Sequence, residues 1–176
     1  MSTHGTPTPG ATRWLSEDEL QVWVGLVAVL ELLPAQLDSR LRRVADLTYF
    51  DYYVLARLSE APERTLPMSA LATRTNATLP RLSHVARRLE ARGMIERSTA
   101  HQDRRVTIVR LTQDGWDLLE ATAPTHVEQV RELVFDRLSS EQVRQLGAIT
   151  DTLLTSLDPR GLMSLPYRRP GAEPQQ

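Results

Sequence analysis

The chain has 176 residues, a length typical of one domain and too short for two ordinary enzyme domains. Hydrophobic residues make up 41% and charged residues 24%, which is close to globular averages and excludes a disordered acidic polymer or a membrane bundle. Aromatic residues make up only 5%, while Leu, Ala, Arg, Glu and Gln dominate, so the composition predicts a mostly α-helical protein.

Two residue types are missing, and each absence excludes a class of chemistry. Without cysteine there are no disulfides, thiolate metal sites or cysteine nucleophiles. All 21 basic residues are arginine, which excludes lysine Schiff bases and a P-loop lysine. The longest apolar run, residues 22–30, falls far short of the ~20 residues that span a bilayer, and the start of the chain does not resemble a signal peptide. We expect a cytoplasmic protein with no membrane partner.

The folded body is predicted to be a single domain at 13–157. It lies between tails at 1–12 and 158–176 that are rich in Pro, Gly, Ser and Thr and are expected to be flexible. Ser16 and Glu19 have the spacing of a capping box, which predicts that a helix begins there. The apolar residues that follow cover more than one face, so this helix is expected to need packing partners on several sides.

The middle of the chain predicts a helix, a turn, a second helix and a β-hairpin. Gly93 is suited to a left-handed helix C-cap, and Asn76 stands where the chain must turn sharply between two helices. The predicted elements are helices at 48–60, 68–75 and 79–92 and strands at 94–97 and 106–111.

Two further helices are predicted toward the C-terminus. Residues 112–137 have helical apolar spacing with Pro124 inside, which predicts a kink or a short break. A second capping box, from Ser139 to Gln142, opens a helix that continues to about Leu157.

The net charge of −1 hides an uneven distribution. Residues 74–110 carry nine arginines against three acidic residues, a net charge of +6, which leaves −7 for the rest of the chain. A basic segment on a helix-turn-helix and hairpin, in an otherwise acidic chain, is typical of binding to a polyanion such as DNA. A solvated arginine-rich face would carry the same charge, so the position of the arginines must decide between the two.

The helix at 79–92 separates apolar from basic side chains. Leu82, Val85, Ala86 and Leu89 share one face, which leaves the arginines largely on the other. Thr78 is a suitable N-cap, and Pro80 is tolerated in the first turn. The exposed face and the helix N-terminus are therefore suited to meet a phosphate backbone.

Five stretches then occur in order along the chain: Leu47-Thr48, Leu71-Ala72, residues 89–97, Asp103-Arg104-Arg105 and residues 111–115. Their order and spacing resemble the MarR (multiple antibiotic resistance regulator) family of winged helix-turn-helix transcription regulators. The resemblance covers about residues 15–157, nearly the whole predicted body.

The resemblance implies a mainly α fold with a small β-hairpin wing. Residues 47–111 would form the DNA-binding winged helix-turn-helix, and 13–46 with 112–157 would supply helices that interlock two copies into a homodimer. The helix at 79–92 would enter the major groove of double-stranded DNA. Arg105 would enter the minor groove, with Asp103 orienting its guanidinium and Arg104 contacting phosphate.

The resemblance and the helix faces together define the residues expected at DNA. They are Arg74, Thr78, Pro80, Arg81, Ser83, His84, Arg87, Arg88, Arg97, Asp103, Arg104 and Arg105.

The resemblance also implies a small aromatic or lipophilic effector, often an anion, bound between the dimer helices and the winged domain. Each candidate residue has the alternative role of an ordinary core or dimer contact. The candidates are Arg13, Trp14, Trp23, Tyr49, Tyr53 and Trp116.

An enzyme is the first competing class, and the sequence does not favour it. The four histidines have no metal-binding spacing, and neighbouring Ser83 and His84 lack an orienting acid, so no catalytic residue, metal or cofactor is expected. The second competitor is a winged helix that binds a protein instead of DNA. We expect a homodimeric regulator, a ligand-responsive repressor, on a pseudo-palindromic operator.

Overall fold

The computed structural model describes residues 12–100 and 103–163, and these residues form a mainly helical protein with a small antiparallel sheet. This confirms the predicted fold class. The chain divides into two units between Pro34 and Ala35. The elements are α1 (Glu17–Ala45), α2 (Tyr49–Ser59), β1 (Thr65–Pro67), α3 (Met68–Arg74), α4 (Leu79–Ala91), β2 (Ile95–Thr99), β3 (Thr107–Leu111), α5 (Gln113–Leu133) and α6 (Ser140–Leu157).

The first unit contains the N-terminal part of α1, and its predicted capping box is confirmed. The Ser16 backbone N–H donates to Glu19 Oε2 at 2.7 Å, and Ser16 Oγ accepts from the Glu19 N–H at 3.2 Å. The apolar side chains that follow are exposed, among them Val22 and Trp23. By length and composition alone, α1 is apolar enough to cross a membrane. Glu31 is the only charged residue in its stretch from Leu20 to Leu37. The core helix of a soluble protein meets the same criteria.

The core of the second unit lies where α2, α3 and α4 pack on the sheet. The predicted inner face of α4 is confirmed, since Leu82, Val85, Ala86 and Leu89 are all buried. They pack in one cluster with side chains from the other elements. The buried apolar face fixes α4 and leaves its opposite face to solvent.

The sheet has three strands in the order β1-β3-β2, all antiparallel. Ile95 pairs with Leu111 at one end of the hairpin and Thr99 with Thr107 at the other, which confirms the predicted hairpin. β1, which pairs with β3, was not predicted. It has three residues and contains Pro67, so it lacks the alternation that identifies a strand in a sequence.

The turns around α4 are the predicted ones. Thr78 Oγ1 accepts from the Arg81 N–H at 3.4 Å, Asn76 has φ +47° and Gly93 has φ +74°. Gly115 fixes the junction between β3 and α5, because a Cβ there would lie 2.1 Å from the Met94 carbonyl oxygen. The hairpin and the start of α5 are thus held close together.

The C-terminal helices differ from the prediction at one point. α5 continues through Pro124 without the short break that the sequence allowed. The second capping box is confirmed, with Ser139 Oγ accepting from the Gln142 N–H at 3.3 Å. The predicted C-terminal tail begins with a turn, in which the Asp158 carboxylate accepts from the Leu162 and Met163 N–H groups. Residues 164–176 of this tail and residues 1–11 of the predicted N-terminal tail lie outside the described residues.

Candidate functional site

The solvent face of α4 carries polar and basic side chains beside a capped N-terminus. Arg81, His84 and Arg87 are exposed, and Ser83 is half-buried. The Arg81 guanidinium lies 4.2 Å from the centre of the Phe50 ring, a cation–π distance that orients the side chain without neutralising its charge. This face presents hydrogen-bond donors to any partner that approaches the helix.

Arg88 lies on the same helix but is held by the protein itself. Its Nη2 donates to Asp51 Oδ1, and the Asp51 side chain is almost completely buried, at 2% exposure. The other carboxylate oxygen of Asp51 accepts from the Thr48 N–H at 2.8 Å in the capping box of α2. The expected role of Arg88 in reading bases is therefore not favoured, because its guanidinium compensates a buried charge.

Three more arginines of the basic segment are also paired. Arg97 donates twice to the Glu90 carboxylate and holds the pKa of that carboxyl below its ordinary value of 4.5. Arg110 pairs with Glu96 at 2.6 Å across the hairpin. Arg92 donates to the carbonyl oxygens of Ala45 and Asp46 at the end of α1. Arg97 therefore stabilises the base of the wing, and a direct DNA role is not favoured for it.

The turn of the wing is shaped by Asp103. Its carboxylate accepts from the backbone N–H of Arg105 at 2.9 Å, and its carbonyl accepts from the Val106 N–H at 3.0 Å. Without DNA this short carboxylate closes on the backbone of its own turn, and the expected contact with the Arg105 guanidinium stays a prediction. Arg104 and Arg105 are left exposed at the tip. His101 and Gln102, also in the wing, lie outside the described residues.

The structure therefore sorts the nine arginines of residues 74–110 into two groups. Four are held by carboxylates or carbonyls of the protein. The other five have no carboxylate partner within residues 12–100 and 103–163, and all of them are expected DNA contacts. They are Arg74 at the end of α3, Arg81 and Arg87 on α4, and Arg104 and Arg105 in the wing.

A cavity of about 560 Å³ lies between α2 and α5 in the second unit. Tyr49, Tyr52 and Tyr53 line it from α2, and His126 lines it from α5. The ring centres of Tyr52 and His126 are 4.4 Å apart, and burial lowers the pKa of His126 from its ordinary value of 6.5. Burial likewise raises the pKa of Tyr49 above 10.0. The volume of the cavity is within the usual range for small-molecule sites.

The expected effector residues are divided between the two units of the chain. Tyr49 and Tyr53 line the cavity, while Trp116 lies under the guanidinium of Arg64 at 3.8 Å. Trp14 is 83% exposed, and Trp23 lies in a shallow groove of the first unit. Arg13 is exposed.

Several residues of the cavity were not predicted. Tyr52, Arg57, Glu60 and His126 line it as well. The repetition of aromatic and charged residues along the sequence of α2 was the available signal for Tyr52, Arg57 and Glu60. His126 joins them only because α5 packs on α2. No group of three or more His, Cys, Asp or Glu side chains in the described part of the chain is placed to hold a metal ion.

Comparison with known proteins places these features in a family. The MarR family profile matches residues 47–107, which contain α2, α3, α4, β1 and β2. The chain is 37% identical over 87 residues to the transcriptional repressor MprA of Escherichia coli K12. This match covers 49% of the chain and 46% of MprA, so it spans about half the length of that curated relative.

Solved structures match over a longer stretch. A MarR family transcriptional regulator from Streptomyces coelicolor, crystallised in complex with DNA, is 38% identical with a TM-score of 0.80, over 90% of this chain and 98% of that one. AbsC, a MarR family transcriptional regulator from the same organism, is 34% identical with a TM-score of 0.77, over 85% of this chain and all of that one.

Proposed function

The chain belongs to the MarR family, and on that premise we propose that it is a transcription regulator that binds double-stranded DNA sequence-specifically as a homodimer. One observation carries the proposal. Five arginines without a carboxylate partner in the described residues lie on the end of α3, on the outer face of α4 and in the wing. Unpaired arginines on a helix-turn-helix and its wing match the charge and geometry of a DNA duplex.

The proposed contacts follow from where the arginines lie. α4 enters the major groove, where Arg81 and Arg87, with Ser83 and His84, reach base edges or phosphates. The N-terminus of α4, with Thr78 and Pro80, directs the positive end of its helix dipole toward phosphate. Arg74 and Arg104 bind the phosphate backbone of the DNA, and Arg105 enters the minor groove. Arg88 and Arg97 act indirectly, by holding α4 and the wing in place.

The homodimer accounts for the apolar residues that one chain leaves exposed. Leu20, Val22 and Trp23 on α1 and Leu146 and Ile149 on α6 are all exposed. A second copy that covers them removes the cost of this exposure and explains the apolar composition of α1 without a membrane. Two-fold symmetry then requires a pseudo-palindromic site with half-sites about 10–10.5 bp apart, or a small multiple of that distance.

We propose further that the regulator is a ligand-responsive repressor that acts in the cytoplasm by binding and not by catalysis. The support is the position of α2 between the cavity and the DNA-reading elements. Phe50 lies against Arg81, Asp51 holds Arg88, and Tyr53 Oη donates to the Arg74 carbonyl at 3.4 Å. A ligand that moves α2 would therefore move the elements that read DNA.

Selection of bound fragments from the source genome by the purified protein tests the proposal. We expect a pseudo-palindromic sequence near the chain's own gene, bound with an affinity that falls steeply as salt rises. Weak binding to all fragments, with no shared sequence, would contradict it and favour the alternative that the winged helix binds a protein.

A further inference from the structure

After α6 the chain continues through a short turn at residues 158–163. The Asp158 carboxylate accepts from the backbone N–H groups of Leu162 and Met163, at 2.9 and 2.8 Å, and the Asp158 carbonyl accepts from the Gly161 N–H at 2.8 Å. A short acidic side chain that accepts from the backbone N–H groups after it closes a turn locally. The turn therefore fixes the position of Met163 relative to the end of α6.

Arg57 joins the end of this turn to the wall of the cavity between α2 and α5. Its Nη2 donates to the Met163 carbonyl at 2.9 Å, and its Nη1 donates to Glu60 Oε2 at 2.7 Å. Arg57 and Glu60 both line the cavity, and their side chains are only 13% and 11% exposed. Because Ser164 is bonded to the carbonyl carbon of Met163, the chain beyond Met163 starts beside a residue of the cavity wall.

The sequence that follows suits an apolar cavity of this size. Residues 164–167 read Ser-Leu-Pro-Tyr, and the walls of the cavity include the rings of Tyr53 and Phe135. Pro166 has a fixed φ and biases Leu165 toward an extended conformation, in which four residues reach about 14 Å. A cube of 560 Å³ has a side of only about 8 Å, so this segment is long enough to cross the cavity.

Two buried polar atoms of the cavity lining have no hydrogen-bond partner within the described residues. They are Nε of Arg57 and Nδ1 of His126. A buried polar atom without a partner is costly, and each residue of a peptide other than proline brings both a donor and an acceptor. The Arg57 guanidinium already binds one peptide carbonyl, that of Met163. A segment that continues from Met163 can therefore supply the missing partners.

The surface next to the cavity is acidic. A neighbouring groove has two residues in common with the cavity, Val127 and Arg131, and its further lining includes Glu128, Glu132 and Asp136. Asp136 and Glu132 are each paired with an arginine, whereas Glu128 has no ion-pair partner within residues 12–100 and 103–163. The two residues that follow the Ser-Leu-Pro-Tyr segment are both arginine. Their charge is complementary to the groove that the far end of the segment reaches.

We propose that residues 164–169 of each chain bind in the cavity between α2 and α5 of the same chain. Leu165 and Tyr167 lie against the apolar walls, and Arg168 and Arg169 lie in the acidic groove. The segment thus occupies the space that any ligand of the cavity would need, so a ligand binds only by displacing it. The proposal goes beyond the proposed function and does not depend on DNA binding.

Disulfide trapping in the full chain tests the proposal, because the sequence has no cysteine and an engineered pair supplies the only thiols. The pair is Arg168→Cys on the segment and Val127→Cys on the wall, where Val127 is 48% exposed. A disulfide requires Cα atoms within about 7 Å, so the pair reacts quickly only if the segment lies in the cavity. Under mild oxidation we expect a disulfide within one chain, seen on a non-reducing denaturing gel as the mass of one chain with both thiols protected from alkylation.

Two substitutions in the same cysteine pair separate binding from mere tethering. Leu165→Asp places a carboxylate among apolar walls without changing the length of the tether, and we expect it to slow trapping at least about tenfold. Ala172→Asp is the matched control, because it adds the same carboxylate to the tail outside the proposed segment. It should leave the trapping rate unchanged. Circular dichroism checks that each variant keeps its helix content.

Three results would overturn the proposal. They are the absence of a disulfide within one chain, equal trapping rates with and without Leu165→Asp, and a product of twice the chain mass, which would place the segment in the cavity of a second copy. Because the trapping contains no DNA, its failure is distinct from that of the proposed function, which fails when fragment selection yields no shared sequence.

Discussion

α4 and α6 are both amphipathic helices with an N-terminal cap, but only α4 completes its packing within one chain. Leu82 and Leu89 of α4 are fully buried, whereas none of the residues of α6 is buried and Ile149 is 56% exposed. The N-terminal part of α1 resembles α6 in this respect. The elements that carry the proposed DNA contacts therefore bury their apolar face within one chain, while the N-terminal part of α1 and α6 leave theirs exposed.

The largest effect should follow from charging the exposed apolar face of α6. We expect Leu146→Asp with Ile149→Asp to separate the proposed dimer, because two carboxylates cannot be buried without partners. Light scattering should then give the 19.9 kDa of one chain and not twice that mass. Affinity for the palindromic site should fall about 100-fold or more, since two linked half-sites no longer act together.

The matched control is Ala148→Asp, which places a carboxylate on the opposite side of the same helix. It should keep the dimer mass and the DNA affinity. If the unmodified chain already has the mass of a monomer while it binds the palindrome tightly, the interpretation of α6 is wrong.

Substitutions of the neighbouring residues Arg87 and Arg88 on α4 should affect different properties, DNA affinity for Arg87 and stability for Arg88. Arg88→Ala leaves the buried Asp51 carboxylate short of a donor, and we expect it to lower the free energy of unfolding by about 1.5–3 kcal/mol. Arg87→Ala removes an exposed side chain and should change stability by less than about 0.5 kcal/mol. For DNA binding the order of the two effects reverses. Arg87→Ala should cost about 1–3 kcal/mol of binding free energy at one base position. Urea denaturation and DNA titration of both variants give the two scales, and equal stability losses would contradict the assignment of Arg88 to Asp51.

A smaller effect is expected at the wing. Arg105→Ala should weaken DNA binding about tenfold, most of all at A·T-rich wing sites, and reduce the salt slope by about 1. Arg110→Ala is the control, because Arg110 is paired with Glu96 and should contribute little. Operator titrations at several salt concentrations measure both, and an Arg105→Ala affinity equal to that of the unmodified chain would exclude the minor-groove role.

The smallest effect concerns pH. Since burial lowers the folded-state pKa of His126 below 6.5, the unfolded chain binds the proton more readily, and stability should fall as pH drops below 6.5. The pKa of Glu90 lies below 4.5 in the folded chain, so its contribution to stability is lost only at lower pH. The pH ranges in which His126 and Glu90 affect stability are therefore separate. His126→Gln should lose less stability than the unmodified chain between neutral pH and about pH 5.5. If the urea midpoint fell equally in His126→Gln and in the unmodified chain, His126 would not be the group whose titration lowers stability.

Local signals in the sequence were enough to predict most helices and turns. The capping boxes at Ser16 and Ser139 and the left-handed residues Asn76 and Gly93 each depend on neighbours within a few positions. β1 could not be predicted, because its three residues become a strand only by pairing with β3, more than forty residues later. The fold was therefore predictable where local chemistry decides, and not where pairing is distant.

The site shows the same division. The basic segment and its exposed helix face were visible in the sequence, but the pairing of its arginines was not. Arg110 and Glu96 could be matched from the hairpin register, whereas Asp51 lies 37 residues from Arg88 and gives no local sign of the contact. Contacts that form only in the fold, such as the pair between Asp51 of α2 and Arg88 of α4, separate the arginines that support the fold from those proposed for DNA.

The most direct test of the proposed function compares two duplexes: the selected pseudo-palindrome and the same duplex with one half-site scrambled, each titrated at low and physiological salt. We expect the intact palindrome to bind at least about 100-fold more tightly than the scrambled duplex, and the affinity for both duplexes to fall steeply as salt rises. Equal affinity for the two duplexes, with little dependence on salt, would contradict it.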